Sequence, residues 1–319
     1  MSNMSIGSLY TKIALLSPRI EVILRQIYWH NVKWLKSANP FSLNGTTNTT
    51  MVTCSFDDVI NCLKNMGVGE GTLLIVHSSY DALASTGLSP KEIIERLLEL
   101  VGSTGTLAMP VIRHYKEEPP SIEKLKSRMD HIVCRYDVKR TIVSSGLLPT
   151  YLKKRPDAVI SHHPLNPLCA VGPLAKEMMA KNLEGDSPAP HGPNSSWKYC
   201  YDHDAIVVWL GIDSEHYNTM IHVSDEAMNN WPWSDDEWYD KRKFIIVDEE
   251  KNEQEITVKE RKQKWGLLHL AEKNLNRDLI KNKIVRKEIV DNHIMVCMEK
   301  AREFVDYLQN HPHKGYPYY

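Results

Sequence analysis

The sequence predicts an α/β fold, layered α/β/α, with a central mostly parallel or mixed sheet and a small antiparallel addition. Short β-branched runs such as "TLLIVHSS", "GTLAMPVI" and "AIVVWLGI" are separated by segments with helical periodicity. Strands that alternate with helices are typical of parallel sheets covered on both faces. A polar turn inside "RKFIIVDEEKNEQEITVKER" predicts the antiparallel hairpin.

The first fifty residues differ from the rest. Residues 18–37, within "SPRIEVILRQIYWHNVKWLKS", combine apolar, aromatic and basic residues and predict an amphipathic helix. It packs on its own domain, or it contacts a peripheral membrane surface or another subunit, as in a homodimer. The turn-rich "SANPFSLNGTTNTT" predicts a linker, so residues 1–50 form the helix and linker and residues 51–319 a single domain.

The helices of that domain have recognisable ends. "SFDDVINCLKNMGVGEG" begins at a Ser55 cap and ends at Gly67. "SPKEIIERLLELVG" has Ser89 as its cap, with Pro90 and Glu92 in the first turn. "LLPTYLKKR" and "GPLAKEMMAKN" also have helical patterns, and the tail "EIVDNHIMVCMEKAREFVDYLQNH" is predicted to be one amphipathic helix.

Composition excludes several classes of function. With 39 basic and 40 acidic residues among 319, the formal net charge is -1, which gives no reason to expect a nucleic-acid partner. The six cysteines form no C-x-x-C pair, the chain opens without a signal-peptide pattern, and no run reaches about 20 apolar residues. We therefore expect a cytoplasmic protein. The histidines form no H-E-x-x-H set, so we expect no metal site.

Polar clusters follow the predicted strands, at residues 77–87, 110–115, 161–167 and 211–226. The carboxyl ends of strands in open α/β sheets are where ligands usually bind, so these stretches predict one shared cleft. In "NTMIHVSDEAM", Thr219, His222 and either Asp225 or Glu226 have the three- and four-residue spacing of neighbours on one helix face. Such a grouping pairs a base with an orienting acid.

From about Ser55 to Glu226 the chain resembles the aminoglycoside 3-N-acetyltransferase family of CoA-dependent N-acyltransferases. The resemblance runs in order through "GEGTLLIVHSSYDAL", "GSTGTLAMPVI", "YDVKRTIVSSGLLPTYLKKRPDAVISHHPLNPLCAVGP", "PHGPNSSWKYC" and "VWLGIDSEHYNTMIHVSDE". It implies that residues 51–319 are an acyltransferase domain. The implied reaction moves an acetyl or other short acyl group from acetyl-CoA or other acyl-CoA to a primary amine of an amino sugar.

The resemblance also implies roles for single residues. The family's T-x-x-H-x-x-E signature falls on Thr219, His222 and position 225, where this chain has Asp followed by Glu226. His222 is then the general base, Asp225 or Glu226 orients it, and Thr219 contacts the thioester carbonyl. The CoA contacts fall on His77, Ser78, Ser79 and Thr106, with Thr141 and His163 as further candidates.

The acceptor is left open between two amino sugars. Aminoglycosides are polycations, and the acids of "WPWSDDEWYDK" (231–241) are a candidate cation site. A nucleotide-linked amino sugar is anionic and suits a nearly neutral chain. A non-catalytic binding or assembly module on the same fold is the alternative function. A hydrolase is disfavoured because the chain has no G-x-S-x-G elbow.

Overall fold

The computed structural model describes residues 6–31, 54–124, 127–215, 217–228 and 231–310. The strands are β1 (Leu73–Ser78), β2 (Thr106–Pro110), β3 (Val133–Asp137), β4 (Val159–Ile160), β5 (Leu168–Val171), β6 (Ile206–Leu210), β7 (Tyr239–Val247), β8 (Glu253–Arg261), β9 (Arg286–Val290) and β10 (Ile294–Lys300). The helices are α1 (Ile6–Ala14), α2 (Pro18–Asn31), α3 (Phe56–Asn65), α4 (Tyr80–Leu83), α5 (Pro90–Val101), α6 (Ser121–Lys124), α7 (Leu147–Lys153), α8 (Ala175–Met179), α9 (Ser196–Asp202), α10 (Ile221–Glu226), α11 (Asp235–Trp238), α12 (Trp265–Leu268), α13 (Glu272–Lys281) and α14 (Ala301–Asn310).

The main sheet has seven strands in the order β4-β5-β2-β1-β6-β10-β9. Its centre is parallel, because β1 pairs in parallel with both β2 and β6. The flanking strands β5 and β10 run antiparallel to this centre. Ser78 at the end of β1 is in register with Leu210 at the end of β6, so the loops that leave both strands emerge at one edge.

Helices cover both faces of this sheet, which confirms the layered α/β/α prediction. One face packs against apolar residues of α3, α5 and α7, including Leu63, Leu97 and Leu152. The other face packs against α8, α9 and α14, including Trp197 and Phe304. The central strands are buried along their whole length, as expected for strands covered on both faces. Ser89 and Glu92 form the predicted capping box of α5.

A second sheet has the order β3-β7-β8. The predicted hairpin is present, since β7 and β8 pair antiparallel from Tyr239↔Arg261 to Val247↔Glu253. The third strand, β3, pairs in parallel with β7. This hairpin carries Arg261, at the end of β8, toward the edge of the main sheet where β1 ends.

The prediction of one helix for the tail is wrong in its first half. Residues 286–300 form the antiparallel pair β9–β10, and only α14 is helical. Asp291 and Asn292 have positive φ values of 51° and 55°, the conformation that a tight hairpin turn requires. The five residues 294–298 of β10 form a continuous apolar run, IMVCM, and periodicity alone cannot assign such a run to a strand or to a helix.

Helix α2 packs on the chain's own body, but not through its apolar side. Glu21, Arg25 and Tyr28 are buried, whereas Ile23 is 53% and Ile27 54% exposed. Contact of this exposed side with a membrane surface or another subunit stays a prediction. Residues 32–53, with the rest of the predicted helix and the linker, lie outside the described residues. No helix among the described residues is both long and apolar enough to cross a bilayer.

Candidate active site

A cleft of about 700 Å³ opens at the carboxyl ends of β1 and β6. We call it the main cleft. It brings together all four polar stretches found in the sequence, because its walls carry residues from 77–87, 110–115, 161–167 and 211–226. The residues that line it include His77, Ser78, Ser79, Ser144, Ser145, Asn166, Thr219, His222 and Arg261.

The β1 wall of the main cleft carries the predicted CoA-contact residues His77, Ser78 and Ser79. The His77 ring stacks on Trp209 with a centroid separation of 5.4 Å, and burial lowers its pKa to about 3, so the imidazole is neutral. His77 Nε2 is buried and has no hydrogen-bond partner among the described residues. Helix α4 after this strand is only four residues long, so its dipole is weak.

The opposite wall carries His222, on the short helix α10. Its Nδ1 lies 2.9 Å from Asp225 Oδ2, one helical turn further along the chain. Thr219 lies in the turn that enters the helix, where its carbonyl accepts a hydrogen bond from the His222 N–H, and it also lines the main cleft. Asp225, rather than Glu226, is therefore the carboxylate that contacts His222.

Glu226 contacts a different histidine. Its Oε2 lies 3.1 Å from His191 Nδ1 and also accepts a hydrogen bond from the His191 backbone N–H. One residue along a helix turns the side chain by about 100°, which directs Glu226 away from His222. The His191 and His222 rings lie 4.9 Å apart, so two histidine–carboxylate pairs stand side by side.

The surroundings of His222 favour the neutral imidazole. Burial lowers its pKa well below 6.5, and the nearby Arg261 cation lowers it further. Burial raises the pKa of Asp225 well above its usual value, and the nearby Arg261 cation acts in the opposite direction. A neutral imidazole has a free lone pair on one ring nitrogen and can accept a proton.

Arg261 is the cation of this site. Its Nη1 lies 2.8 Å from His222 Nδ1 and 3.2 Å from Nε2, and its guanidinium carbon lies 5.9 Å from the centre of the Trp238 ring. The guanidinium therefore lies within hydrogen-bonding distance of both ring nitrogens, and nearer to the one that contacts Asp225.

Two smaller cavities adjoin the main cleft at Arg261. The helix-side cavity, of about 170 Å³, is lined by residues that include His222, His269, Glu272 and Phe304. The loop-side cavity, of about 220 Å³, is lined by residues that include Lys124, Asn166, His191, Glu226 and Glu260. Arg261 lines all three spaces, so its guanidinium stands where they meet.

A set of possible metal ligands also includes the central histidine. One ligand atom each from His222, Asp225 and His269 lies within 4.8 Å of the others. The guanidinium of Arg261, 2.8 Å from His222 Nδ1, opposes a divalent cation at this position. The expectation that the site holds no metal stays a prediction.

Some candidates from the sequence lie elsewhere. Thr106 is paired with Leu73 at the amino end of β1, five residues and about 16 Å from Ser78. Its hydroxyl accepts a hydrogen bond from the Leu174 N–H, so Thr106 is not a contact in the main cleft. Burial lowers the pKa of His163 to about 4, and backbone groups of residues 165 and 188 occupy its ring nitrogens.

Thr141 closes a turn, because its hydroxyl accepts a hydrogen bond from the Asp137 N–H. The acids of residues 231–241 line none of the three cavities. Asp235 pairs with Lys259 at the surface, and Glu237 folds back on Ser234 as the capping box of α11. The expected cation site at these acids is therefore not part of the cleft.

Sequence reasoning missed Arg261 and did not assign His191 or His269. His191 had a weak signal in "PHGPNSSWKYC", but nothing in the sequence pairs it with Glu226, 35 residues away. Arg261 ends an ordinary alternating strand, "EQEITVKER", and only the pairing of β7 with β8 carries it to His222. These contacts join distant parts of the chain, so local patterns do not contain them.

Comparison with known proteins gives one consistent result. A family profile described as aminoglycoside 3-N-acetyltransferase matches residues 75–311. Aminoglycoside N(3)-acetyltransferase IX of Micromonospora chalcea is 28% identical over 168 residues, covering 50% of this chain and 58% of the relative. Aminoglycoside N(3)-acetyltransferase VII of Streptomyces paromomycinus is 27% identical over 196 residues, covering 59% and 65%. The match thus spans about six tenths of each relative's length.

Solved structures with this fold are also similar. The structure of aminoglycoside acetyltransferase AAC(3)-Xa superposes with a TM-score of 0.63 at 20% identity, covering 79% of this chain and 90% of that one. AAC-IIIb, solved as a binary complex with CoASH, gives a TM-score of 0.60 at 14% identity, covering 79% and 94%. At such identities, the superposition establishes a shared fold.

Proposed function

This chain belongs to the aminoglycoside 3-N-acetyltransferase family, and from that membership we propose that it transfers an acetyl or other short acyl group from acyl-CoA to a primary amine of an amino sugar. One observation carries the proposal. The neutral, partly exposed His222 with its Asp225 partner lies in the same cleft as the hydroxyl-rich end of β1. A base and a polar groove that suits a CoA arm therefore share one space.

The β1 side of the main cleft fits the donor. Ser78 and Ser79 offer hydroxyl and backbone groups, and His77 Nε2 is a buried polar atom without a partner among the described residues. The amides of a pantetheine arm would satisfy such groups. A solved structure of the same fold was obtained with CoASH, which supports CoA as the acyl carrier. Acetyl-CoA supplies the thioester whose acyl carbon the amine attacks.

His222 is the proposed general base. An ammonium group has no lone pair, so the acceptor must be a neutral amine, which loses one of its two N–H protons as the C–N bond forms and the C–S bond to CoA breaks. Nε2 of His222 takes that proton and passes it to the departing CoA thiolate, while Asp225 holds Nδ1–H and stabilises the imidazolium. Thr219, which lines the same cleft, would hydrogen-bond the carbonyl oxygen as negative charge develops on it.

The acceptor is an amino sugar of one of two kinds. Curated relatives are named for aminoglycosides, which favours a polycationic acceptor. The guanidinium at the centre of the site favours the anionic, nucleotide-linked kind. All six cysteines are free thiols, which supports the cytoplasm as the compartment in which the reaction takes place.

The proposal is tested by measuring free thiol released from acetyl-CoA by the purified protein. Gentamicin and a dTDP-linked amino sugar are compared at equal concentrations, and binding of CoA is measured in parallel by calorimetry. We expect thiol release that depends on the amine and is lost in His222→Ala. Binding of CoA without thiol release from acetyl-CoA or a longer acyl-CoA would instead support the non-catalytic module.

A further inference from the structure

A site that binds a polycation needs unpaired carboxylates, and the centre of this site offers few of them. Among the described residues, no carboxylate lies within ion-pairing distance of Arg261. The carboxylates in the side cavities are already engaged, because Glu272 pairs with Arg25, Glu260 with Arg242, and Glu226 with His191. Asp81, on the β1 side of the main cleft, is the exception.

The position of Arg261 makes this charge relevant to the acceptor. Its Nη1 lies 2.8 Å from His222 Nδ1 and 3.2 Å from Nε2, so a group bound to the guanidinium also lies beside the base. Arginine presents paired N–H donors that match a carboxylate or phosphate group, so an anion on the acceptor is the natural partner for this side chain.

We propose that Arg261 forms an anion subsite next to the base, which binds a carboxylate or phosphate group carried by the amine-bearing acceptor. This inference rests on the proposed acyl transfer and specifies its substrate class. An anionic acceptor gives Arg261 a partner and holds the amine beside His222. A polycationic acceptor offers no such partner and adds like charge beside the guanidinium, which disfavours its binding.

The first arm of the test needs no turnover. Inorganic phosphate is titrated into the protein while the His222 ring signals are followed by NMR. We expect a saturable shift in the wild type and in Lys259→Gln, and its loss in Arg261→Gln. Lys259 is the matched control because it lies on the same strand, loses the same charge and lines none of the three cavities. An equal shift in Arg261→Gln would overturn the subsite.

The second arm measures acyl transfer to acceptors that share one sugar: glucosamine, glucosamine 6-phosphate, the corresponding amino uronic acid, and gentamicin as the polycation. We expect kcat/KM to be at least about tenfold higher for an anionic acceptor than for glucosamine, a margin equal to about 1.4 kcal/mol. Arg261→Gln should bring that ratio close to one, and Arg261→Lys should leave it intermediate. The anionic acceptor whose kcat/KM falls more in Arg261→Gln shows whether the subsite prefers phosphate or carboxylate.

The two proposals fail in different ways. If no amine increases thiol release, the acyl transfer is wrong, and the phosphate titration alone decides whether the anion subsite exists. If gentamicin or glucosamine reacts as well as the anionic sugars, the subsite is wrong and the acyl transfer stands. A rise in KM for acetyl-CoA in Arg261→Gln, with acceptor preference unchanged, would assign the guanidinium to the donor and overturn the inference.

Discussion

Two arginines of this protein have opposite surroundings. Arg25, on α2, is almost fully buried, and its guanidinium contacts Glu21 at 3.1 Å and Glu272 at 2.8 Å. Glu21 in turn accepts hydrogen bonds from the backbone N–H groups of residues 273 and 274. Arg261 is only partly buried and contacts an imidazole instead of a carboxylate.

The difference separates a structural charge from a functional one. A buried ion pair with all its hydrogen bonds made is costly to break but has nothing left to bind a ligand. A cation whose neighbours leave it without a counter-ion retains capacity for an anion. The network of Glu21, Arg25 and Glu272 therefore holds α2 to α13, whereas Arg261 and His222 form a group that is complete only with its substrates.

The largest expected effect is on the functional side. His222→Ala should reduce turnover by about 10²–10⁴-fold, the usual contribution of a general base, while binding of acyl-CoA is nearly unchanged. Steady-state thiol release and calorimetry measure the two quantities. His131→Ala, at an exposed histidine, is the control. Turnover equal to that of the control variant would remove His222 from the mechanism.

The next largest effect is on the free energy of unfolding, which depends on the structural arginine. Arg25→Ala leaves Glu21 and Glu272 as buried or half-buried carboxylates without their cation, and we expect a loss of about 3–5 kcal/mol in the free energy of unfolding. Arg261→Gln should change that free energy by less than about 1 kcal/mol, because no ion pair is broken. Urea denaturation compares both with Arg19→Ala at the surface. Similar losses of unfolding free energy in the Arg25 and Arg261 variants would contradict the distinction between a structural and a functional arginine.

The two acids after His222 provide a finer comparison. Asp225→Asn removes a charged hydrogen bond to the base, worth about 1.5–3 kcal/mol, or roughly 10–150-fold in kcat. Glu226→Gln should cost less, because Glu226 contacts His191 and an amide retains a hydrogen bond to the His191 N–H. Rates at saturating acetyl-CoA test the order. A greater loss for Glu226→Gln would mean that His191 is the base.

The smallest effect is a shift in pH dependence. Burial first, then Arg261, His191 and His269, lower the pKa of His222, so its neutral form persists below pH 6.5 and activity is lost only as the pH falls through that lowered value. Arg261→Gln removes the nearby guanidinium cation and should raise the pKa of His222. NMR titration of the His222 ring measures the change. A lower pKa in the variant would contradict the assigned contact.

Much of the architecture followed from local patterns. The capped helices α3 and α5, the buried strands β1, β2 and β6 and the hairpin β7–β8 lie where the sequence predicted them. The tail was misassigned because periodicity cannot assign the continuous apolar run of β10 to a strand rather than to a helix. The apolar pattern also could not predict which side of α2 packs inward, since its buried residues include the charged Glu21 and Arg25. Their partners lie about 250 residues away.

The sequence by itself determined the fold class, the family and the grouping of Thr219, His222 and two acids, because periodicity, caps and motif order are local properties of the chain. Only the tertiary structure decided that Asp225 contacts His222 while Glu226 contacts His191, and that Thr106 lies at the far end of its strand. It also brought Arg261 to the base. These contacts depend on strand register and helix rotation, which long-range packing sets.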